Sequence, residues 1–325
     1  MKVLVTGGSG FIGAALCHQL VANGYQVRVL DDNSRGSLTR LADIQDQIEF
    51  VSGDIRDAQV VHAATEGCQM VWHLAYINGT RFFYERPDEV LEVGIKGAIN
   101  TIEAAIAAKV NRYILASTSE VYNTPSEIPT PESERIMIPD MTNPRFSYGG
   151  GKIASELLTL HYGGKRGLET VIFRPHNIYG ANMGFEHVIP ELVAKIVKLS
   201  DNLTKKSIDL PIQGNGEETR AFCYIDDAVR GILLCGEKGH AGEIYHLGTQ
   251  KETSIRELIE QLGQILDINI NIIPGTLRPG GTTRRCPNIT KLSQLGYQPQ
   301  IDLKAGLTHT VNWYVNYFTK NTNEN

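Results

Sequence analysis

The sequence predicts an α/β chain built on a doubly wound parallel sheet, with a smaller C-terminal α/β lobe. Three observations predict it. Short β-branched apolar runs alternate with helix-period patterns through residues 1–175, and such alternation makes a parallel sheet with helices on both faces. The first of those runs passes into a helix through closely spaced glycines at residues 7–13. Beyond Arg174 the alternation gives way to segments rich in Gly, Pro and Asn, interleaved with further helical patterns.

In chain order, the strand-like runs are 2–6, 26–30, 48–51, 70–74, 112–117 and 169–173, and the helical patterns between them are 11–22, 57–65, 88–108 and 146–163. The later part carries loops at Pro175–Gly184, Gly214–Gly216 and Pro274–Gly281, with helices at 187–199, 226–236, 253–266 and 303–318. The segments 221–225 and 243–247 are candidates to return to the main sheet. The division expected is a Rossmann-type unit over 1–175 and, mainly, a substrate-binding lobe over 176–325. There is no internal repeat.

The 325 residues suffice for one large core plus a smaller lobe. A net charge of −5 without any basic block argues against a nucleic-acid partner. Cys17, Cys68, Cys223, Cys235 and Cys286 are scattered, form no CxxC and read as small buried hydrophobes, which suits a reducing cytoplasm. The N-terminus reads as a core strand rather than a signal peptide, and no apolar run approaches the length of a membrane span. The polar run from Thr319 to Asn325 reads as a frayed tail.

The opening segment is Lys2-Val-Leu-Val-Thr6-Gly7-Gly8-Ser9-Gly10-Phe11-Ile12-Gly13. Glycines at 7, 10 and 13 let the backbone turn sharply and approach a pyrophosphate, which sits on the following helix N-terminus. Asp31 ends the next strand, where a carboxylate accepts from both ribose hydroxyls and repels a 2′-phosphate. The combination points to NAD rather than NADP.

In open α/β sheets ligands bind beyond the carboxyl ends of the strands. Strand 112–117 ends in Ser117-Thr118-Ser119-Glu120-Val121-Tyr122, three hydroxyls and a carboxylate in a row. A capped turn explains such a run as well as chemistry does. Tyr148 and Lys152 then lie four residues apart on one helical face, where an ammonium beside a phenol favours phenolate. Between them stand Gly149, Gly150 and Gly151, each costing about 1 kcal/mol in a helix, so close packing or a bulky ligand must require them.

On these residues the chain resembles an extended short-chain dehydrogenase/reductase of the nucleotide-sugar epimerase/dehydratase family, over nearly its whole length. The resemblance implies that NAD is bound by Gly7, Gly10, Phe11, Ile12, Gly13, Asp31, Asp32, Arg35, Asp54, Ile55, Leu74, Ala75, Ser117 and Pro175, with Tyr148 and Lys152. It implies a nucleoside-diphosphate sugar held by Asn177, His187, Arg220 and Arg285. By the same resemblance Tyr148 removes the proton of the sugar 4-hydroxyl while hydride leaves C4, Lys152 holds the nicotinamide ribose and lowers the Tyr148 pKa, and Thr118 bonds the reacting oxygen. Ser119 and Glu120 complete the catalytic set. Helices 88–108 and 146–163 are expected to pair across a two-fold axis in a homodimer.

The chain also departs from the family pattern. Thr118-Ser119-Glu120 resembles GDP-mannose 4,6-dehydratases and UDP-glucuronate decarboxylases, and Ser119, Glu120 and Arg285 resemble the decarboxylase set. The family's usual Asn is replaced by Gly94, which either opens space or changes the local water. The aromatic stretch from Tyr76 to Tyr84 reads as packing against the helix starting near Pro87, with lining of the sugar pocket as the other reading. The expected activity is a nucleotide-sugar 4-epimerase. The alternatives are a 4,6-dehydratase, a decarboxylase or a C4 dehydrogenase. A non-catalytic NAD-sensing regulator is a remote one, since the Tyr148/Lys152 pair is intact.

Overall fold

A computed structural model describes residues 1–276 and 282–321. The end of the Pro274–Gly281 loop and the tail beyond Asn321 lie outside the described residues. In chain order the first half contains β1 (Lys2–Thr6), α1 (Phe11–Ala22), β2 (Gln26–Asp31), β3 (Ile48–Ser52), α2 (Ala58–Thr65), β4 (Met70–His73), α3 (Thr80–Glu85), α4 (Pro87–Ala107), β5 (Arg112–Ala116), α5 (Ser147–Leu157) and β6 (Glu169–Pro175). The second half adds β7 (Ile178–Tyr179), α6 (Val188–Leu199), β8 (Ser207–Pro211), β9 (Thr219–Arg220), β10 (Cys223–Tyr224), α7 (Ile225–Lys238) and β11 (Glu243–Leu247). It ends with β12 (Thr253–Ser254), α8 (Ile255–Leu266), β13 (Asn269–Ile273), β14 (Arg284–Arg285), α9 (Thr290–Ser293) and α10 (Leu303–Asn321).

Seven strands form one parallel sheet in the order β11-β6-β5-β4-β1-β2-β3. The continuous apolar runs of β1 and β4 are buried throughout nearly their whole length, as strands covered on both faces must be. One core packs α1 and α7 on one face, the other packs α2 and α4 on the opposite face. Strand order reverses between β1 and β4, and the crevice at their carboxyl ends is where a ligand belongs. A third core, made only of residues from Tyr179 onward, lies under α6, α8 and α10.

Local chemistry explains the boundaries. The Asp57 side chain accepts from Gln59 N at 2.9 Å and caps α2. Pro87 opens α4, where its missing N–H costs nothing. Ser254 and Glu257 close a reciprocal capping box on α8. The helix expected over 146–163 is regular to Leu157 and widens into a π turn over Leu158–Gly163. The short turns at Leu38–Gln47 and α3 were not foreseen. Of the two later candidates for the main sheet, 243–247 joins it beside β6. The other, 221–225, does not: only Cys223–Tyr224 is extended, and it pairs with β7 in a separate ribbon. No helix among the described residues is long and apolar enough to cross a membrane.

Candidate active site

A cleft of about 690 Å³ opens at the strand-order switch, and every site residue named from the sequence lines it except Arg220. Its cofactor end is made by backbone. Gly7 sits at φ +72°, and a Cβ there would stand 2.6 Å from Ala75 N. A Cβ on Gly13 would stand 2.8 Å from Gly8 Cα and overlap the Gly7 carbonyl. The first turn of α1 therefore lies directly on the loop. Gly10 caps that helix without any side-chain bond, so its leading N–H groups are left for an anion. Asp31 is buried and fixed by Ser9 N at 2.9 Å and Asn33 N at 2.8 Å. Each carboxylate oxygen keeps a second lone pair for a ribose hydroxyl. Asp54 and Ile55 flank the far wall, where the Asp54 carboxylate is taken by Arg56 at 2.6 Å. These residues fit NAD: an uncapped helix start, a cradle that a Cβ would fill, and a buried acid at the ribose.

Residues 182–187 reach over this end. Arg40 donates to the Asn182 carbonyl at 3.0 Å, and Glu186 pairs with Arg35 and Arg81, each at 3.4 Å. His187 lies in the cleft beyond them, and burial lowers its pKa. Nothing in the sequence marks Glu186 or Asn182, because their role depends on how the 182–187 loop lands.

At the centre, Tyr148 and Lys152 lie one turn apart on α5 and are both buried. Thr118 lies beside the Tyr148 phenol, whose pKa it lowers, and accepts from Glu120 N at 3.2 Å. Ser117, which also lines the cleft, donates to the buried Glu156. Phe83 stacks on the Tyr148 ring at 4.9 Å, and Tyr76 meets the same ring edge-on at 5.2 Å. Tyr76 and Phe83 both line the cleft, whereas Phe82 lies buried beneath Arg35, Arg81 and Arg86, so each reading of the aromatic stretch describes part of it.

The electrostatics differ from expectation at one point. Burial pushes the Tyr148 phenol upward, Thr118 offsets part of that, and Glu120 adds to it. Lys152 is itself pushed down to about 7, first by burial, with Glu156 opposing. The Lys152 ammonium donates to the Ala116 carbonyl at 2.6 Å and lies 4.0 Å above the Tyr76 ring centre. Those two partners hold the ammonium in place.

The sugar end is made by charge. Arg285 forms an ion pair with Glu120, and Arg145 stands 3.9 Å from the same carboxylate. Burial alone would raise the Glu120 pKa, but Arg285, Arg145 and Arg220 bring it below the usual carboxylate range. Arg145 was not foreseen, and an isolated arginine before the tyrosine motif gives no signal. Arg220 donates to the carbonyls of Thr219 at 2.7 Å and Thr282 at 2.8 Å and does not line the cleft, although its charge acts on Glu120. Asn177, at φ +43°, lines the cleft with a buried Nδ2 that has no hydrogen-bond partner among the described residues. An unpaired buried donor costs stability unless a ligand takes it.

Residues 3–248 match the model of the NAD dependent epimerase/dehydratase family. The chain is 30% identical over 323 residues to a UDP-N-acetyl-alpha-D-glucosaminuronate decarboxylase of Bacillus cytotoxicus, covering 96% of this chain and 97% of that one. It is 31% identical over 316 residues to a putative UDP-glucose 4-epimerase of Methanocaldococcus jannaschii, covering 97% and 98%. Its fold is similar, with a TM-score of 0.85 and 31% identity over 98% of both chains, to a dTDP-glucose 4,6-dehydratase from Streptomyces venezuelae solved with NAD and TYD bound. Glycine cradle, ribose acid and buried Tyr148/Lys152 pair agree with that match across the sheet: this chain is an enzyme of the NAD-dependent epimerase/dehydratase family.

Proposed function

We propose that the chain is a nucleotide-sugar 4-epimerase. Asn177, His187 and Arg285 hold the nucleoside-diphosphate sugar in this reading. The Tyr148 phenolate accepts the proton of the sugar 4-hydroxyl as C4–H leaves as hydride, giving a 4-ketone. Thr118 holds the reacting oxygen throughout. NAD, when bound, supplies the hydride acceptor and later the donor. The ketone turns its other face, hydride returns to C4, and Tyr148 gives its proton back to the same oxygen. No net proton or electron leaves the site.

The observation that carries this outcome is the Glu120–Arg285 ion pair. A carboxylate already neutralised by a guanidinium, with its pKa lowered, is a weak base for a C5–H bond. The preceding residue is Ser119, whose hydroxyl is a poor acid for expelling a 6-hydroxyl. The lowered Glu120 pKa weighs against proton removal from C5, and Ser119 against dehydration of the kind that pairs an Asp with that Glu. A second reading, decarboxylation of a nucleotide-linked uronic acid, is favoured by Arg285 and Arg145 standing together at this end, where a substrate carboxylate could replace Glu120 as partner. The Bacillus cytotoxicus relative supports that reading by its name.

Incubating the protein with a panel of nucleotide sugars, including uronates, and following product mass separates the outcomes. Epimerisation leaves mass unchanged, and decarboxylation removes carbon dioxide. Loss of water from any neutral sugar overturns the first reading. A reducing cytoplasm is supported by the five cysteines, all buried and unpaired. A homodimer through α4 and α5, which pack on each other within the chain, is tested by sedimentation, where a monomer at micromolar concentration counts against it.

A further inference from the structure

We infer that Tyr76 is a positioning residue for the reacting pair: its phenol is socketed in a notch left by Gly94 on α4 and Gly151 on α5. From that socket its ring face holds the Lys152 ammonium and its edge braces Tyr148. The inference rests on Tyr148 and Lys152 being the pair that reacts.

The notch is specific. A Cβ on Gly94 or on Gly151 would overlap the Tyr76 hydroxyl. At Gly94 it would also stand 2.6 Å from ring carbon Cε2, whereas at Gly151 the nearest ring carbon lies 3.5 Å away, an ordinary contact. The neighbouring glycines are less constrained: a Cβ would lie 3.1 Å from Ile138 Cδ1 at Gly150 and 3.4 Å from the Glu120 carbonyl at Gly149. The glycine that replaces the family's usual Asn, and one glycine of the run between Tyr148 and Lys152, thus answer to one side chain. The space at Gly94 is neither open nor filled by water; an aromatic ring occupies it.

The placement is costly by itself. The Tyr76 hydroxyl is buried and has no hydrogen-bond partner among the described residues. What the ring gains is contact with the site: Lys152 Nζ 4.0 Å above its centre, and the Tyr148 ring perpendicular to it at 5.2 Å. The same ammonium donates to the Ala116 carbonyl on its other side. The groups facing Lys152 are Glu156 on its own helix, His73 from β4 and Tyr76 itself. A dry, fixed lysine suits a cycle in which the sugar proton goes to Tyr148 and returns.

The test uses the full chain and has two independent arms. The first measures thermal unfolding and depends on no assumption about the reaction. Gly151→Ala should lower the melting temperature by about 5 °C, and Tyr76→Phe should restore most of it, because only the hydroxyl clashes. Gly94→Ala should not be rescued by Tyr76→Phe but should be rescued by Tyr76→Ala. Additive effects in both cycles would overturn the socket. The second arm is the pH profile of kcat/KM. Burial holds the Lys152 pKa near 7, below its ordinary 10.5, and the Tyr76 ring both keeps water from the ammonium and faces it, so Tyr76→Ala should shift the alkaline limb from its wild-type position. The plateau should fall by about tenfold as the ammonium loses its seat. Tyr76→Phe should keep the limb where the wild type has it. An unmoved limb and plateau in Tyr76→Ala would show a merely structural tyrosine and sink the positioning role, even if the protein proves to be an epimerase.

Discussion

At the cofactor end of the cleft the chain closes on itself through backbone; at the sugar end it closes through charged side chains. Gly7 and Gly13 touch Ala75 N and the Gly7 carbonyl region with no side chain between them. Glu120, Arg145 and Arg285 come from three separate segments and meet only by folding. A backbone cradle tolerates almost no added atom, because neither partner can move aside. A side-chain cluster can exchange partners, since a guanidinium accepts a substrate anion as readily as a glutamate. The first arrangement suits a cofactor that stays the same in every cycle, the second a substrate that differs between relatives.

The largest effect should come where the two halves meet. Tyr148→Phe removes the acceptor of the sugar proton while leaving the ring stacked on Phe83. Turnover should fall by about 10³-fold with the melting temperature nearly unchanged. Retained turnover would mean that the chemistry belongs to another group, and the contrast between the ends would lose its meaning.

Next is the cradle itself. Gly13→Ala sets a Cβ 2.8 Å from Gly8 Cα, inside a loop that has no side chain to displace. The expected cost is about 2 kcal/mol of stability together with loss of NAD binding, read by calorimetry and by NAD-dependent protection against unfolding. If NAD binds Gly13→Ala normally, the backbone is more yielding than the contacts indicate.

The legibility of the two ends follows the same physics. The glycine spacing, Asp31 and the Tyr148/Lys152 pair are local: a turn, a strand end and one helical face, each written within a few residues. The sheet was readable for the same reason, because buried parallel strands advertise themselves as unbroken apolar runs. Arg145, Glu186 and the Tyr76 socket were not readable, because each depends on two or three segments meeting. Arg220 was named from its sequence neighbourhood, whereas its bonds to the carbonyls of Thr219 and Thr282 arise only in the fold. Segment 221–225 shows the reverse error: an apolar run cannot say which strand it will pair with, and it pairs with β7.

A smaller effect should come from Asp31→Ser. Ser9 N and Asn33 N lose their acceptors, and the negative charge that opposes a 2′-phosphate disappears. NAD affinity should fall and NADP affinity rise, moving their ratio by about tenfold, measured by titration of each cofactor. An unchanged ratio would show that the preference is set elsewhere, for example by Arg35.

The smallest effect is the most informative about the sugar end. If Glu120 serves only as the counter-ion of Arg285, Glu120→Gln keeps a hydrogen-bond acceptor of the same shape and loses only charge. Epimerisation should then persist within about tenfold of wild type. The lowered carboxylate pKa gives the same expectation from pH: the pair is intact above the ordinary carboxylate range and is lost only as pH falls through the lowered value. Activity limited by this pair should therefore be flat across neutral pH, and Glu120→Gln should change only its acid edge. A variant that instead stalls with a 4-keto sugar and reduced cofactor would assign Glu120 to C5. The exchangeable cluster would then be a catalytic base, and the contrast with the rigid cofactor end would be one of mechanism rather than of binding.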